Sequence, residues 1–204
     1  MTDVNKPFDA VLVDADGIIQ TVQGTWVEQL ARFAPDDADS FIRELFEAEE
    51  GPLSGHGEWL DEIVGVLRRR GIREVYAGDV LVPWALIDRF EDCLDVVREV
   101  AQVTPCHLAT NQTRFRADIM RGFGYDEFFE RFYFSYEVGH HKPDPRYFEA
   151  ILADLGIGGE QAFFVDDRIE NVEAARSVGI VAERHDPSDG AAGLRRIFTA
   201  ARLL

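Results

Sequence analysis

Positive charge is scarce in this chain. Only 21 Lys and Arg stand against 38 Asp and Glu, a formal net charge of −17 over 204 residues. Nucleic acids and anionic membrane surfaces both require clustered Lys and Arg, so neither is an expected partner. A small anionic substrate would need local positive charge or a metal ion to hold it. The plainer meaning of the acidity is solubility. Cysteine is nearly absent: Cys93 and Cys106 make no disulfide framework and read as core thiols of a reducing compartment. No apolar run approaches the length of a transmembrane helix, and the polar, acidic N-terminus carries no signal-like apolar stretch. The expected location is the cytoplasm. There is no internal repeat and no low-complexity tract. The length fits one domain, or one domain with a small insert.

The most informative segment is Phe8-Asp9-Ala10-Val11-Leu12-Val13-Asp14-Ala15-Asp16-Gly17-Ile18. An apolar run of strand character ends in two carboxylates one residue apart, and glycine follows at once. Residues two apart in a strand point the same way. Like charges this close repel unless a cation or a shared proton holds them. Three later features join the pair: Thr110-Asn111 after an apolar run, Lys142-Pro143, and Asp166-Asp167 after Phe163-Phe164-Val165. Each lies near the end of a predicted strand, where open α/β sheets place their sites.

Hydrophobic periodicity organises the rest. Residues 8–13 predict a buried strand. From Gly24 to about Arg70 the pattern is helical. One stripe is Trp26, Val27, Leu30 and Phe33. A second is Phe41, Leu45 and Phe46, in a helix begun by Pro35-Asp36-Asp37. A glycine-rich loop at Leu53–Gly57 leads to a third, Trp59, Leu60, Ile63, Val64 and Leu67, with Gly71 as a C-terminal cap. Residues 72–85 give no clear signal, and a helix is predicted from about Leu86 to Ala101. Strands near 104–109, 131–135, 162–165 and 180–183 then alternate with helices near 114–122, 145–155, 169–178 and 190–203. That alternation predicts an α/β fold, a doubly wound, Rossmann-like parallel sheet. The helical block after the first strand is too long for a simple crossover. It reads as an inserted small helical cap, residues 20–85, on a core of residues 1–19 and 86–204. The alternative is a longer crossover packed into the main core.

A strand-end carboxylate can act as a nucleophile. Phosphoryl transfer to Asp14 would give an acyl phosphate that water hydrolyses, with Asp16 placed to protonate the leaving oxygen and later to activate water. Asp166 and Asp167 could complete an all-oxygen site for Mg²⁺ with Asp14. Lys142 would neutralise the transferred group, while the Thr110 hydroxyl and nearby amides would hold its oxygens. Each element has a plainer reading. Asp-x-Asp-Gly is a common turn, Thr110-Asn111 a helix N-cap, Lys142 a solvated loop residue, and Asp166-Asp167 a cap complementing a helix dipole. The ordered set of four carries the functional reading.

Those residues resemble the four motifs of the haloacid dehalogenase-like hydrolases. Asp14-Ala15-Asp16-Gly17-Ile18 is similar to the first, Leu108-Ala109-Thr110-Asn111 to the second, Lys142 within Val138–Asp144 to the third, and Phe164–Val172 to the fourth. The resemblance spans nearly the whole chain and is densest from Phe134 to Ile180. It points to the branch with a small helical cap, which includes sugar-phosphate phosphatases and the N-terminal phosphatase domain of soluble epoxide hydrolases. It implies Asp14 as nucleophile and Mg²⁺ ligand. Asp16 would be the general acid/base and would ligate the metal through its backbone carbonyl. Thr110 and Asn111 would bind the phosphoryl group, and Lys142 would stabilise its charge. Asp167 falls where the principal fourth-motif ligand stands, Asp166 would be a direct or outer partner, and Asn171 would support that loop; which aspartate touches the ion stays open. True dehalogenases of the family lack a carboxylate at the position of Asp16, so its presence favours phosphate esters over carbon–halogen bonds. His141 departs from the pattern, since relatives often carry arginine there.

The expected activity is therefore a Mg²⁺-dependent phosphatase acting on a small phosphorylated metabolite, with oligomeric state unassigned. Three rival readings are a phosphomutase or phosphotransferase, a receiver domain, and a catalytically silent binding or scaffold protein. Other residues attract attention. His56 in the glycine-rich loop reads as a solvated histidine or a substrate contact. Trp26, Trp59 and Trp84 read as cap core or, for one of them, pocket lining. His107 reads as an interior histidine. His140-His141 lacks further ligands for zinc, and Arg68-Arg69-Arg70 reads as a solvated helix end.

Overall fold

The computed structural model of the protein describes residues 6–22 and 24–204; the first five residues of the N-terminus read above lie outside that range. In chain order the elements are β1 (Ala10–Val13), β2 (Gln20–Val22), α1 (Trp26–Ala31), α2 (Ala38–Leu53), α3 (Trp59–Arg69), α4 (Ala77–Ala85), β3 (Ile87–Arg89) and α5 (Glu91–Ala101). They continue with β4 (Cys106–Thr110), α6 (Arg114–Arg121), β5 (Arg131–Phe134), α7 (Ser135–Val138), α8 (Pro145–Leu155), β6 (Ala162–Asp166), α9 (Ile169–Ser177), β7 (Val181–Arg184) and α10 (Gly190–Ala200).

Five strands form one parallel sheet in the order β5-β4-β1-β6-β7. The strand that begins the fold is thus its centre, which is why Ala10–Val13 is apolar on both faces. Val11 and Val13 face a core that includes Leu94, Val97 and Phe198 from α5 and α10. Leu12 faces Phe148, Ile151 and Val172 from α8 and α9. Side chains alternate across a strand, so one continuous apolar run serves both layers. The doubly wound sheet expected from the strand–helix rhythm is the fold observed.

Helices α1 to α4 pack around an apolar cluster of their own, with Leu30, Phe41, Leu45, Trp59, Ile63, Leu67 and Trp84 buried. Three stripe residues point outward instead: Val27, Phe46 and Leu60 are exposed. This helical segment leaves and rejoins the sheet domain through a two-stranded antiparallel ribbon, β2 against β3, with Thr21 opposite Asp88. The ribbon corrects the predicted helix from Leu86: it begins at Glu91. Ile87–Arg89 is taken by pairing with Gln20–Val22, and the Phe90 amide donates to the Ile19 carbonyl at 2.8 Å. Three residues are too few for periodicity to reveal a strand. The unclear stretch 72–85 holds a single 3₁₀ turn and α4, whose Pro83 lies near its C-terminal end. Gly71 does close α3, with φ +67°.

Candidate active site

Parallel strands all deliver their C-terminal ends to one edge. Val13 is in register with Leu108 on one side and Val165 on the other. Asp14, just beyond β1, therefore sits between Thr110 at the end of β4 and Asp166 at the end of β6. The Asp14 amide donates to the Val165 carbonyl at 3.0 Å, so the chain is still tied to the sheet where its carboxylate emerges.

Lys142 arrives from the loop between α7 and α8. Its Nζ is buried and donates to Asp14 Oδ1 at 2.8 Å, Asp166 Oδ2 at 2.6 Å and the Ala109 carbonyl at 2.9 Å. Three donors meet three acceptors, so the ammonium is fully satisfied. Asn111 fixes the loop that carries it: its Nδ2 donates to the Lys142 carbonyl at 2.7 Å, and its Oδ1 accepts from the Lys142 amide at 2.8 Å. The Asn111 side chain is thus committed to the Lys142 backbone. Thr110 is buried, and its Oγ1 accepts from Gln112 Nε2 at 3.3 Å.

The two fourth-segment aspartates differ in what they touch. Asp166 is wholly buried and accepts from Lys142, from the Arg168 amide at 2.8 Å and from Asn171 Nδ2 at 3.0 Å on both oxygens. Asp167 is half-buried and turns toward Gly17. Gly17 has φ +85°, and a Cβ there would stand 2.6 Å from Asp167 Oδ2. Both the backbone and the space require glycine.

Burial pushes the Asp14 carboxyl up to about 8, with Lys142 opposing the shift and Asp166 adding to it. Burial likewise pushes Asp167 up to about 6, with Asp166 adding and Lys142 opposing. For Lys142, burial works against the ammonium, but Asp14 and Asp166 outweigh it and hold its pKa above the ordinary value. Asp14, Asp166 and Asp167 each bring a carboxylate oxygen within 4.8 Å of the others. Three carboxylates against one ammonium leave an excess of negative charge in a confined all-oxygen site. That donor chemistry fits a hard divalent cation such as Mg²⁺.

Asp16 stands on the other side of Asp14. Its carboxylate receives both terminal nitrogens of Arg116, at 2.6 and 2.7 Å, together with Gln112 Nε2 at 3.0 Å and Gln20 Nε2 at 3.1 Å. Asp14, Asp16, Thr110, Asn111, Lys142 and Asp167 all line one cavity of about 390 Å³, with Gly17, Thr21, Phe90, Arg168, Asn171 and Pro187 completing its wall. Asp166 lies beneath that wall. A larger cavity of about 800 Å³, between β7 and α10, contains none of these groups.

The structure brings all seven site residues expected from sequence to one strand edge. His56 is exposed on its loop. Trp59 and Trp84 are buried in the helical cluster, and Trp26 rests edge-on against Phe46. His107 is buried beside the Tyr133 ring. Sequence reading missed Arg116, Gln112 and Gln20. One signal was available: Arg116 shares the inward face of α6 with Ala117 and Met120, and an arginine on a buried face calls for a charged partner.

A family model described as haloacid dehalogenase-like hydrolase matches residues 8–179. A D-ribitol-5-phosphate phosphatase of Bacteroides thetaiotaomicron is 30% identical over 66 residues, which is 32% of this chain and 31% of that protein. A sesquiterpene phosphatase of Aspergillus oryzae is 36% identical over 55 residues, 27% of this chain and 28% of that protein. The matched stretch thus spans under a third of each curated relative's length. Among solved structures, a HAD family enzyme of Bacteroides thetaiotaomicron in a magnesium complex superposes with a TM-score of 0.77 at 20% identity, covering 89% of this chain and 95% of that one. At that identity the likeness speaks to the fold.

Proposed function

This chain belongs to the haloacid dehalogenase-like hydrolase family, and from that premise we propose that it is a Mg²⁺-dependent phosphatase of a small phosphorylated metabolite, working through an aspartyl phosphate on Asp14. The observation that carries the reading is the Lys142 ammonium bridging Asp14 at 2.8 Å and Asp166 at 2.6 Å, with Asp167 in the same carboxylate cluster.

In the first step an Asp14 oxygen attacks phosphorus and the ester oxygen leaves with a proton from Asp16. In the second, Asp16 takes a proton from water as it attacks the acyl phosphate, and Asp14 is regenerated. Lys142, beside Asp14, would offset the negative charge of the phosphoryl group, while the Thr110 hydroxyl and the main-chain amides near Asn111 receive its oxygens. Mg²⁺, held by Asp14, Asp167 and the Asp16 backbone carbonyl, would offset the negative charge of the phosphoryl group. Asp167 is the fitting direct ligand, because the oxygens of Asp166 are already committed to Lys142, Asn171 and the Arg168 amide.

Residues 20–85 act in this reading as a cap on a core of residues 1–19 and 86–204, hinged at the β2–β3 ribbon. Thr21 and Phe90, at that ribbon, already line the cavity. The names of the curated relatives, a D-ribitol-5-phosphate phosphatase and a sesquiterpene phosphatase, support a phosphorylated small molecule as the substrate class. The test is hydrolysis of an aryl phosphate and a panel of phosphorylated metabolites with Mg²⁺, with EDTA, and by Asp14→Asn. Metal-dependent release lost in the variant supports the reading; undiminished release in EDTA or in Asp14→Asn overturns it.

A further inference from the structure

Asp16 is more tightly held than a freely rotating acid/base group needs to be. Its two oxygens accept four hydrogen bonds, two of them from the Arg116 fork. The donors are almost fully enclosed: Arg116 is 6% exposed, Gln112 2% and Gln20 0%. They come from α6, from the loop before it and from the start of β2, so three separate elements set one carboxylate. Gln20 is itself held, since its Oε1 accepts from the Tyr125 hydroxyl at 3.0 Å.

A buried guanidinium is a poor choice for stability alone. The Arg116 Nε is buried with no hydrogen-bond partner among the described residues, and an apolar pair in place of both Arg116 and Asp16 would fill the space without that desolvation penalty. Arg116 forms an ion pair with Asp16, and its charge also acts on the buried Glu49 carboxylate. What the arginine provides is geometry: a planar fork fixes the carboxylate plane as a single ammonium cannot. The fork bonds are short, whereas each glutamine contributes one longer bond. The glutamines are the contacts that can yield when Asp16 turns to the leaving oxygen, and the fork holds its register.

We propose that Arg116, supported by Gln112 and Gln20, is the positioning residue for Asp16, which rests on the reading of Asp16 as the acid/base. Arg116 acts through Asp16 and not on the substrate.

The test is exchange of oxygen between inorganic phosphate and ¹⁸O-water with Mg²⁺, which needs no knowledge of the natural substrate. Wild type, Asp16→Asn, Arg116→Met, Arg116→Lys and the Asp16→Asn/Arg116→Met pair are compared. Asp16→Asn is expected to lower the maximal exchange rate by about 10²-fold or more. Arg116→Met is expected to lower it at least tenfold, on the order of part of that acid/base contribution, with the half-saturating phosphate concentration little changed; because the change strips Asp16 of its buried cation it should also lower the melting temperature, so rates are compared well below it. Arg116→Lys should not restore the rate. The double variant should be no slower than Asp16→Asn alone, because coupled residues are non-additive. Multiplying losses in the double variant, or wild-type rates in Arg116→Met, overturn the proposal while leaving Asp16 its role. Wild-type exchange in Asp16→Asn overturns the acid/base reading and this proposal with it. Should Arg116→Met fail to fold, Arg116→Gln goes through the same cycle.

Discussion

Replacing Asp14 by Asn should abolish turnover and, in metal-free protein, make the fold more stable. The carboxyl is 6% exposed, and burial drives its pKa from 3.8 up to about 8. A group whose folded pKa is raised contributes its full stability below the unfolded pKa and loses it as pH rises through the folded one. Wild type therefore forfeits stability at this position as pH rises from 3.8 toward about 8. Asparagine keeps an oxygen for Lys142 but weakens a charged hydrogen bond, offsetting about 1–2 kcal/mol. The net expectation is a gain in stability at pH 7 in EDTA, read from urea unfolding. Mg²⁺ reverses the order of benefit. At 100 times its Kd it should stabilise wild type by about 2.7 kcal/mol and the variant far less. A variant that is less stable than wild type in EDTA, or that gains as much from Mg²⁺, would refute the idea that uncompensated carboxylate charge is stored here for a cation.

Three further outcomes follow from the same geometry. Lys142→Met leaves Asp14 and Asp166 buried without their cation, so metal-free unfolding should show a loss of about 3–5 kcal/mol together with loss of turnover. Glu49, buried in α2, is pushed up to about 7 from 4.5, mainly by burial, with Arg116 opposing. Its contribution is full below pH 4.5 and lost as pH rises through 7, so Glu49→Gln should match wild type near pH 4 and exceed it by up to roughly 3 kcal/mol above pH 8 in thermal or urea melts. Gly17→Ala must force a side chain at φ +85° against Asp167. It should cost about 1–2 kcal/mol for the backbone alone and weaken Mg²⁺ binding measured by calorimetry.

The sheet and its site edge were legible because the signals are local. Phe163-Phe164-Val165 followed by two aspartates announces both a strand and its functional end, and β1 does the same with Asp14 and Asp16. The β2–β3 ribbon was not legible, since Ile87–Arg89 is a strand only through pairing with residues almost seventy positions away. Nor was the cage around Asp16: Arg116 is 100 residues from it in sequence, and a single sequence does not reveal which carboxylate a buried arginine will meet. The Asn111 side chain teaches a subtler point. Its neighbour Thr110 faces the cavity floor, while Asn111 spends its amide on the Lys142 backbone, a choice set by the loop path and not by residue type.

The covalent step on Asp14 is the centre of the proposed mechanism, and rapid acid quench during turnover of an aryl phosphate with Mg²⁺ tests it most directly. Peptide mapping should find a hydroxylamine-labile phosphoryl group on the peptide carrying Asp14, absent in EDTA and in Asp14→Asn. Steady turnover with no phosphoryl group on Asp14 at any quench time, or turnover undiminished in Asp14→Asn, would contradict it.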